Sequence, residues 1–516
     1  MPKLLLILFI MTDSLVLADD LGSIIYPDQV GDRARPSLSG PESLITKPHI
    51  VVHYTLEGED STTFDYAESV AVYAETSWVR TERLGWYMPA PDGNEGGDSL
   101  YDFYIECSAN IGYPGLTWPD DPYTNPFTDG YTAYTEITSE ATDWDYLMSL
   151  TAHEFHHGAQ KRYSAWESMW WYENTSVFME DIIYEHVNNL PGLLWNSDPS
   201  PLLDPYCAIR EDQGAYEYAA GLWAHFLHEY YGMSAMLRIW ERCGSHSGNH
   251  SIADMNWQLE NYFDSDLEKA VSHYAIWRYF CGARDIEDHF EEGGSYPSAN
   301  ILRSHSTYPA TGDQGFEPLD GPGGCNFIEF TNFADNRLDI FFAGESGYSW
   351  EAYVLGFNIY DSFYYEYKIP LDTVQDTGRV SVPCWDYSTI VLVPINATWE
   401  TNTYNLDFSY DVSLITDYTN VEERHIEWPF DINFQQNPGR LPVKIILTIP
   451  VDIDKVSVII FDITGREVRT FRNTTSNRHL IWDGYDNRGR LVQDGLYFCV
   501  LSTDHVQKCK KVMLIK

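Results

Sequence analysis

The stretch from His153 to His157, with the sequence His-Glu-Phe-His-His, joins two metal-binding side chains to a carboxylate. His153 and His157 are four residues apart, so on an α-helix their imidazoles project from the same face and can bind one metal ion. Glu154 directly follows the first histidine, where its carboxylate can reach a water molecule in the open coordination position of a zinc ion. The spacing therefore predicts a catalytic Zn²⁺ site with Glu154 as the general base. His156 points about 100° away from the pair and is predicted to be structural.

The sequence around this motif predicts a buried helix. Thr142 and Asp145 form a Thr-x-x-Asp start of the capping-box kind, and neither Gly nor Pro follows before Gly158. Leu150 and Phe155 are among the apolar positions expected of a helix that packs against a core. Because burying polar groups without partners is costly, the histidines and the glutamate need a partner, and a metal ion is one.

A catalytic zinc site usually has three protein ligands, so a third is expected near the two histidines. The segment Trp170–Glu180 resembles the second half of the gluzincin signature, in which a glutamate on the next helix completes a His-His-Glu site. In the form W-x-x-E-x-x-[AS]-x-[YF]-x-E it is similar to the aminopeptidase-like branch of that clan. The resemblance implies that Glu173 is the third ligand. The matching residues are Trp170, Glu173, Ser176, Phe178 and Glu180.

The chain departs from related zinc-peptidase patterns in several places. Gln160 and Tyr163 stand where the metzincin continuation requires Gly and His, which excludes that class. Fifteen residues separate His157 from Glu173, a little fewer than is usual for gluzincins, and Asn174 replaces the common glycine.

Two other glutamates are alternative third ligands. The short link after the motif leaves room only for a tight turn near Ser164, and Glu167 lies in that turn. Glu180 lies seven residues beyond Glu173 on the same helical face, which favours a role in orienting a ligand histidine.

A tyrosine that stabilises the developing oxyanion is expected from a later element. Tyr218-Ala-Ala-Gly221 resembles the Tyr-x-x-Gly helix that supplies such a residue in aminopeptidase-like gluzincins, which implies this catalytic role for Tyr218. Tyr216 and His225 are the alternatives, and an ordinary core position is a further interpretation, since aromatic residues on amphipathic helices usually pack in cores.

A broader resemblance covers roughly residues 45–305. The run from His49 to Trp86, then Tyr101-Asp-Phe-Tyr-Ile, then the histidine motif is similar to a family of secreted bacterial metalloproteases. That resemblance implies an α+β, gluzincin-like, helix-rich peptidase domain over 46–305 that acts on a protein or peptide. The β-forming run 130–137 is either the sheet edge that receives such a peptide or an ordinary internal strand.

Composition and the N-terminal residues bear on location. The net charge of −45 argues against nucleic acid and anionic membrane surfaces, and suits a protein released from the cell. Residues 1–18 are predicted to be a signal peptide and 19–45 a leader or short propeptide. No later run of 18 apolar residues occurs, so no integral membrane segment is expected after the signal peptide.

The eight cysteines include no C-x-x-C pair, and their spacing is not that of a metal site. Export permits disulfides, and Cys499 and Cys509 are candidates to pair across a hairpin. Free thiols are the alternative interpretation.

Helical patterns continue through 216–231, 233–243, 252–263 and 267–280, after which the pattern changes. Short β-rich runs predict a β-sandwich over 306–427. Residues 428–516 resemble the Ig-like domain shared by flagellar hook-capping proteins and the C-terminal sorting domains of type IX secretion. That resemblance implies contact with a secretion machinery.

Calcium is a weakly supported second cofactor. The segment Asp92–Asp98 lacks the closing Glu of a calcium loop. Asp483, Asp486 and Asn487 could also bind Ca²⁺, but turn capping is the favoured interpretation.

Together these patterns predict a multidomain chain: an α+β zinc peptidase domain followed by two β-sandwich, Ig-like domains. The predicted function is a secreted zinc-dependent metallopeptidase. The alternative is a cell-surface adhesin or glycan-binding protein with a structural or inactive zinc site. Glu154 favours catalysis, because a structural site needs no base there and usually fills its fourth position with protein.

Overall fold

The protein is described here by a computed structural model. It describes residues 24–31, 33–286, 289–333, 336–358, 364–384, 387–415, 431–434, 442–448, 457–472, 479–488, 490–502 and 507–514. The predicted signal peptide, 1–18, lies outside these residues.

The helices lie mostly between residues 64 and 279. In the described parts of the chain, no helix is both long and apolar enough to cross a membrane. Their bounds are α1 Pro27–Val30, α2 Phe64–Leu84, α3 Ser108–Ile111, α4 Trp144–Tyr163, α5 Met169–Ile183, α6 Leu190–Asn196, α7 Tyr216–Ala219, α8 Gly221–Tyr231, α9 Met233–Cys243, α10 Ser251–Tyr262 and α11 Leu267–Tyr279.

The strands form sheets in three successive regions of the chain. The first region has β1 Glu42–Thr46, β2 Ile50–Thr55, β3 Tyr101–Glu106, β4 Gly115–Pro122 and β5 Tyr131–Thr138. The second has β6 Arg303–His305, β7 Ala310–Asp313, β8 Leu319–Gly321, β9 Ile328–Phe330, β10 Arg337–Gly344, β11 Trp350–Phe357, β12 Tyr364–Lys368, β13 Thr377–Pro383, β14 Thr389–Asn396, β15 Thr403–Leu406 and β16 Phe408–Ile415. The third has β17 Asp431–Phe434, β18 Val443–Thr448, β19 Ser457–Asp462, β20 Glu467–Arg472, β21 His479–Trp482, β22 Gly495–Ser502 and β23 Gln507–Leu514.

The first sheet has the strand order β1-β2-β3-β5-β4. Its centre, β2, β3 and β5, is parallel, and the two outer strands β1 and β4 are antiparallel to their neighbours. One face packs on α2 and α4 through a buried apolar cluster that includes Val70, Phe103, Leu147 and Phe155. The predicted run 130–137 is β5, which lies between β3 and β4, so the internal-strand interpretation is correct and β4 is the edge strand.

Helix α4 begins one residue later than the capping-box pattern indicated. The side chain of Asp143 accepts hydrogen bonds from the backbone N–H groups of Asp145 and Tyr146, at 2.8 Å and 3.0 Å. The expectation that Thr142 and Asp145 cap the helix is therefore wrong. Asp143 is itself a favoured N-cap residue, and its extended backbone conformation at the helix start lets its side chain accept these bonds.

The remaining helices form an apolar core beside α4 and α5. The predicted helical runs are confirmed, except that 216–231 is divided into α7 and α8 at Ala220. The connection between α4 and α5 runs from 164 to 168, which confirms the short link expected from the sequence. The core includes Trp171, Trp223, Trp240, Tyr274 and Phe280.

Residues 303–415 form a β-sandwich that packs on the helical region. The sheet β13-β10-β16-β7 faces the sheet β12-β11-β14-β9-β6 across a buried apolar core. The opposite face of the second sheet, including Leu355 and Val393, shares the apolar core of the helices. Fully buried Arg278 of α11 donates a hydrogen bond to the carbonyl of Gly323 across this contact, and another to that of Pro205 within the helical region.

The described strands after residue 430 form a three-stranded and a four-stranded antiparallel sheet around a separate apolar core. In the pairing of β22 with β23, Cys499 lies opposite Lys510 and Cys509 lies opposite Val500. Because neighbouring residues of a strand point to opposite faces, the two cysteine side chains point apart. The suggested Cys499–Cys509 pair is therefore wrong, and all eight cysteines are free.

We expect Asp143→Ala to loosen the first turn of α4. Removing an N-cap side chain costs about 1 kcal/mol, which corresponds to roughly fivefold faster hydrogen exchange by local opening. Exchange followed by mass spectrometry of peptides spanning 143–150 measures this rate. Thr142→Ala is the matched control and should leave it unchanged; equal acceleration by both variants would contradict the assignment of the cap.

Candidate metal centre

The helices α4 and α5 bring three ligand-type side chains to one point. His153 Nε2 lies 2.9 Å from Glu173 Oε2, and His157 Nε2 lies 3.0 Å from His153 Nε2 and 3.5 Å from the same carboxylate oxygen. All three side chains are buried. Three donors bound to one tetrahedral zinc ion at 2.0–2.1 Å would be separated by about 3.3 Å. The structure thus brings together the residues predicted from the sequence as metal ligands.

The hydrogen bonds on the far side of each imidazole fit metal binding. His153 Nδ1 lies 2.7 Å from Glu180 Oε1, and His157 Nδ1 lies 2.7 Å from Gln160 Oε1. If each Nδ1 carries the proton and donates it, the two Nε2 atoms present lone pairs to each other. Two lone pairs at this distance repel unless a cation lies between them, and a metal ion removes the repulsion.

The electrostatics of the site favour positive charge. Burial opposes ionisation of Glu173, but His157 and His153 outweigh it and lower the pKa of this carboxyl to about 2. Burial likewise opposes charging of His153, yet Glu173 and Glu180 raise its pKa well above the ordinary value. The second oxygen of Glu173, Oε1, is buried, and none of the described residues forms a hydrogen bond with it. A divalent cation bound here would compensate these groups together.

Several polar residues fix the ligand side chains. Glu180, predicted to orient a histidine, contacts His153 as expected, and Asn189 Nδ2 donates to its other oxygen at 3.2 Å. The sequence patterns assign no role to Gln160 in the metal site. In the structure its Oε1 contacts His157 Nδ1, and its Nε2 donates a hydrogen bond to the carbonyl of Tyr172. Helical spacing could have predicted this contact, since Gln160 lies three residues beyond His157.

Glu154 lies against the edge strand β4. Its Oε2 accepts a hydrogen bond of 2.9 Å from Thr117 Oγ1. Gly115 leaves the space that Glu154 needs, because a Cβ atom there would lie 2.6 Å from Glu154 Cγ. Burial raises the pKa of Glu154. Its carboxylate also lies within 4.8 Å of the histidine donors. Glu154 thus belongs to the same cluster as the two histidines, whereas the contacts of Glu173 Oε2 with both histidines favour Glu173 as the third ligand.

Tyr218 lies beside the candidate ligands, whereas its alternatives lie elsewhere. The Tyr218 ring is 6.0 Å from the His153 ring, and burial together with the Glu173 charge raises the pKa of Tyr218 well above its ordinary range. Tyr216 packs with Cys207 instead. His225 packs edge-on against the Phe178 ring, 5.1 Å away.

Neither Glu167 nor His156 faces the candidate metal position. Glu167 Oε2 accepts hydrogen bonds from the backbone N–H groups of His250 and Ser251, so it is not the third ligand. His156 is buried and edge-on to Trp86, at 4.6 Å between ring centres. Burial lowers the pKa of His156 well below its usual value, as suits a neutral, packed side chain.

The suggested calcium positions have other partners. Asp92 forms an ion pair of 2.6 Å with Arg35. In the tail, Asp486 accepts from the backbone N–H groups of Arg488 and Arg490, which is turn capping. In the described part of the chain, the one His, Cys, Asp and Glu group close enough to hold an ion is at the histidine motif.

Comparisons with known proteins identify no family. No family model and no curated protein matches the chain. Solved structures with some similarity include the type-IX secretion surface component PorZ of Porphyromonas gingivalis, at 18% identity and a TM-score of 0.15, over 22% of this chain and 14% of that chain. Dimeric latent PorU from the same bacterium has 14% identity and a TM-score of 0.17, over 35% and 18%. The adhesin domain of Epf from Streptococcus pyogenes has 10% identity and a TM-score of 0.14, over 41% and 74%. The chain spans less than a fifth of PorZ and PorU, and likenesses this low carry no argument.

We expect Glu180→Ala to weaken zinc binding by about 10–100-fold, because removing the partner of a ligand histidine frees its ring orientation and tautomer. Competition with a chromophoric chelator measures the dissociation constant. Exposed Glu185, two residues past the end of α5, provides the matched control Glu185→Ala, which should leave it unchanged. Equal zinc affinity in all three proteins would contradict the role given to Glu180.

Proposed function

We propose that this chain is an exported zinc metallopeptidase whose metal is held by His153, His157 and Glu173. The observation that carries the proposal is the convergence of these three donors, at 2.9–3.5 Å from one another, beside the carboxylate of Glu154. Three protein ligands with a neighbouring free carboxylate are typical of a hydrolytic site. The gluzincin-like fold and the peptide substrate are part of this proposal.

Bound zinc would supply Lewis acidity, polarising the peptide carbonyl and lowering the pKa of water to about 7. Glu154 then acts as general base through Oε1, since its Oε2 is held by Thr117. The same oxygen returns the proton to the leaving amine. Burial raises the pKa of Glu154, which makes the carboxylate a stronger proton acceptor. Tyr218 is the candidate donor to the oxyanion.

The edge strand β4 is the surface where we place the peptide. Its inner side pairs with β5, and among the described strands none pairs with its outer side. An extended peptide can add to such an edge through backbone hydrogen bonds. Because Thr117 lies in β4 and binds Glu154, a peptide on this edge would pass next to the base.

The export part of the proposal rests on the sequence. The signal-peptide pattern of residues 1–18 and the sorting-domain resemblance of 428–516 together indicate a secreted or surface location, with the tail as the contact for a secretion machinery. The strongly acidic composition is compatible with that location.

The decisive test compares the full chain with Glu154→Gln. We expect the wild-type protein to bind about one zinc ion and to cleave an unfolded protein such as reduced casein. Glu154→Gln should keep the zinc and lose at least about 10²-fold in kcat, because it removes the proton acceptor but no ligand. Zinc content by atomic emission and fragment formation by mass spectrometry provide the two readouts.

Exposed Glu140→Gln, just before α4, is the matched control and should cleave as the wild type does. Zinc binding without any cleavage, or equal cleavage by Glu154→Gln, would instead favour the adhesin or glycan-binding alternative with an inactive metal site.

We also expect Thr117→Val to lower kcat by about tenfold, which corresponds to about 1.4 kcal/mol, while zinc affinity stays unchanged. The loss follows because Thr117 orients Glu154 and touches none of the three ligands. Thr117→Ser keeps the hydroxyl and should restore most of the rate. Failure of Thr117→Ser to recover activity would show that packing at β4, rather than this hydrogen bond, matters.

A further inference from the structure

Lys161 lies one helical turn beyond His157 on α4 and is fully buried. Its Nζ donates a hydrogen bond of 2.8 Å to the backbone carbonyl of Ile25. The ammonium group also lies 4.4 Å above the ring of Tyr172, which packs beside His157. The side chain therefore extends the row of ligand histidines along the face of α4 that borders the site.

A buried ammonium group is costly unless it is paired. Among the described residues, no carboxylate forms an ion pair with Lys161, and its hydrogen bond goes to a single neutral carbonyl. Burial lowers the pKa of Lys161 to about 7, although the charges of Glu173 and Glu154 raise it. Packing alone would be better served by an apolar side chain, so the position calls for a ligand with an oxygen acceptor.

The acceptor comes from the N-terminal segment that the sequence predicts to be a leader. Ile24 is buried in the apolar cluster that also holds Trp170, Tyr172 and Tyr218. Tyr26 stacks on Trp166 at 6.5 Å and donates a hydrogen bond to the carbonyl of Glu167. Burial and the charge of Glu173 raise the pKa of Tyr26 to about 12. Residues 24–26 thus pack on α4 and on the link to α5, near the candidate ligands.

The following residues carry the segment around the edge strand. Helix α1 contacts β4. Arg33 then forms an ion pair of 2.6 Å with Glu136, and Arg35 forms ion pairs with Asp92 and Asp120. A short stretch of this chain therefore crosses the edge where a substrate peptide would add.

Resting on the proposed function, we infer that Lys161 is a substrate-binding residue that takes a backbone carbonyl of the bound peptide, and that Ile25 occupies its ammonium group as a tethered stand-in. Displacing residues 24–26 exposes a cationic hydrogen-bond donor one turn from the ligands, and an incoming extended peptide replaces the lost acceptor.

The test uses the full chain carrying Glu154→Gln, so that the probe is not cleaved. The probe is a fluorescein-labelled, C-terminally amidated peptide with the sequence of residues 22–31, and its binding is followed by anisotropy. Ile24→Asp with Tyr26→Ala should lower the dissociation constant at least tenfold by releasing the segment. Adding Lys161→Met should return the dissociation constant to its original value. Adding Lys161→Arg instead should keep most of the tighter binding. If the Ile24→Asp, Tyr26→Ala protein binds the peptide equally well with and without Lys161→Met, the inference is overturned.

A second measurement does not depend on replacing Lys161. Acetylation by acetic anhydride, followed by mass spectrometry, should be at least tenfold faster at Lys161 after the Ile24 and Tyr26 substitutions. A saturating concentration of the peptide should slow it again. Exposed Asp28→Ala in α1 is the matched control and should change neither labelling nor binding. If the peptide does not change the rate of acetylation at Lys161, the inference is overturned.

These outcomes separate the inference from the proposed function. Peptide binding that depends on Lys161, in a chain that cleaves nothing, would leave the inference standing and remove the peptidase. Cleavage by the wild type, with peptide binding that does not depend on Lys161, would support the peptidase and remove the inference. Zinc content and melting temperature, measured for every variant, show that each protein is folded.

Discussion

The packing of α4 against α5 buries two histidines and two glutamates that have almost no access to water. Burying such groups is costly unless they are paired, and this cost accounts for the partners of the ligand-type histidines. Glu180 and Gln160 take the outer nitrogens of the histidines. The inner nitrogens and Glu173 face one another. The short link 164–168 holds α4 and α5 in the relative position that brings these groups together.

The sheet contributes the other half of the site through its last strand. β4 runs antiparallel at the edge, so its side chains reach α4 while its outer backbone is available to another extended chain. Thr117 lies at the meeting point, because its hydroxyl contacts both the side chain and the backbone carbonyl of Glu154. The edge strand thereby fixes the position of the Glu154 carboxylate, and in the proposed function the same strand would also receive the peptide.

The parts of this site that could be predicted from sequence are those fixed by helical periodicity. His153, His157 and Glu180 follow from spacing along α4 and α5, and Glu173 follows from a motif on the next helix. Thr117 could not be found this way, because it lies 37 residues from Glu154 and meets it only through the strand order. The same limit explains why β5 was considered as an edge.

Strand register and local backbone conformation explain the other differences between the sequence predictions and the structure. Cys499 and Cys509 flank a turn, yet adjacent pairing positions send their side chains to opposite faces, which sequence spacing alone does not indicate. Asp143 replaced Thr142 as the cap because two favourable residues competed within one turn, and only the backbone conformation selects between them. The convergent helical site was thus predictable, whereas contacts across the sheet and the exact starts of elements were not.

The N-terminal segment is held by two different kinds of contact, and the difference bears on which part can move. The outer face of the first sheet buries acidic groups, among them Glu106, whose pKa burial raises to about 7, and Glu136. Arg33 and Arg35 neutralise this face, so removing them would leave buried carboxylates without countercharge, which is strongly destabilising. Residues 24–26 are held instead by the hydrogen bonds that join Ile25 to Lys161 and Tyr26 to Glu167, and by the burial of Ile24 in the helical core. The segment is therefore held by ion pairs at its arginines and by hydrogen bonds and apolar packing at residues 24–26.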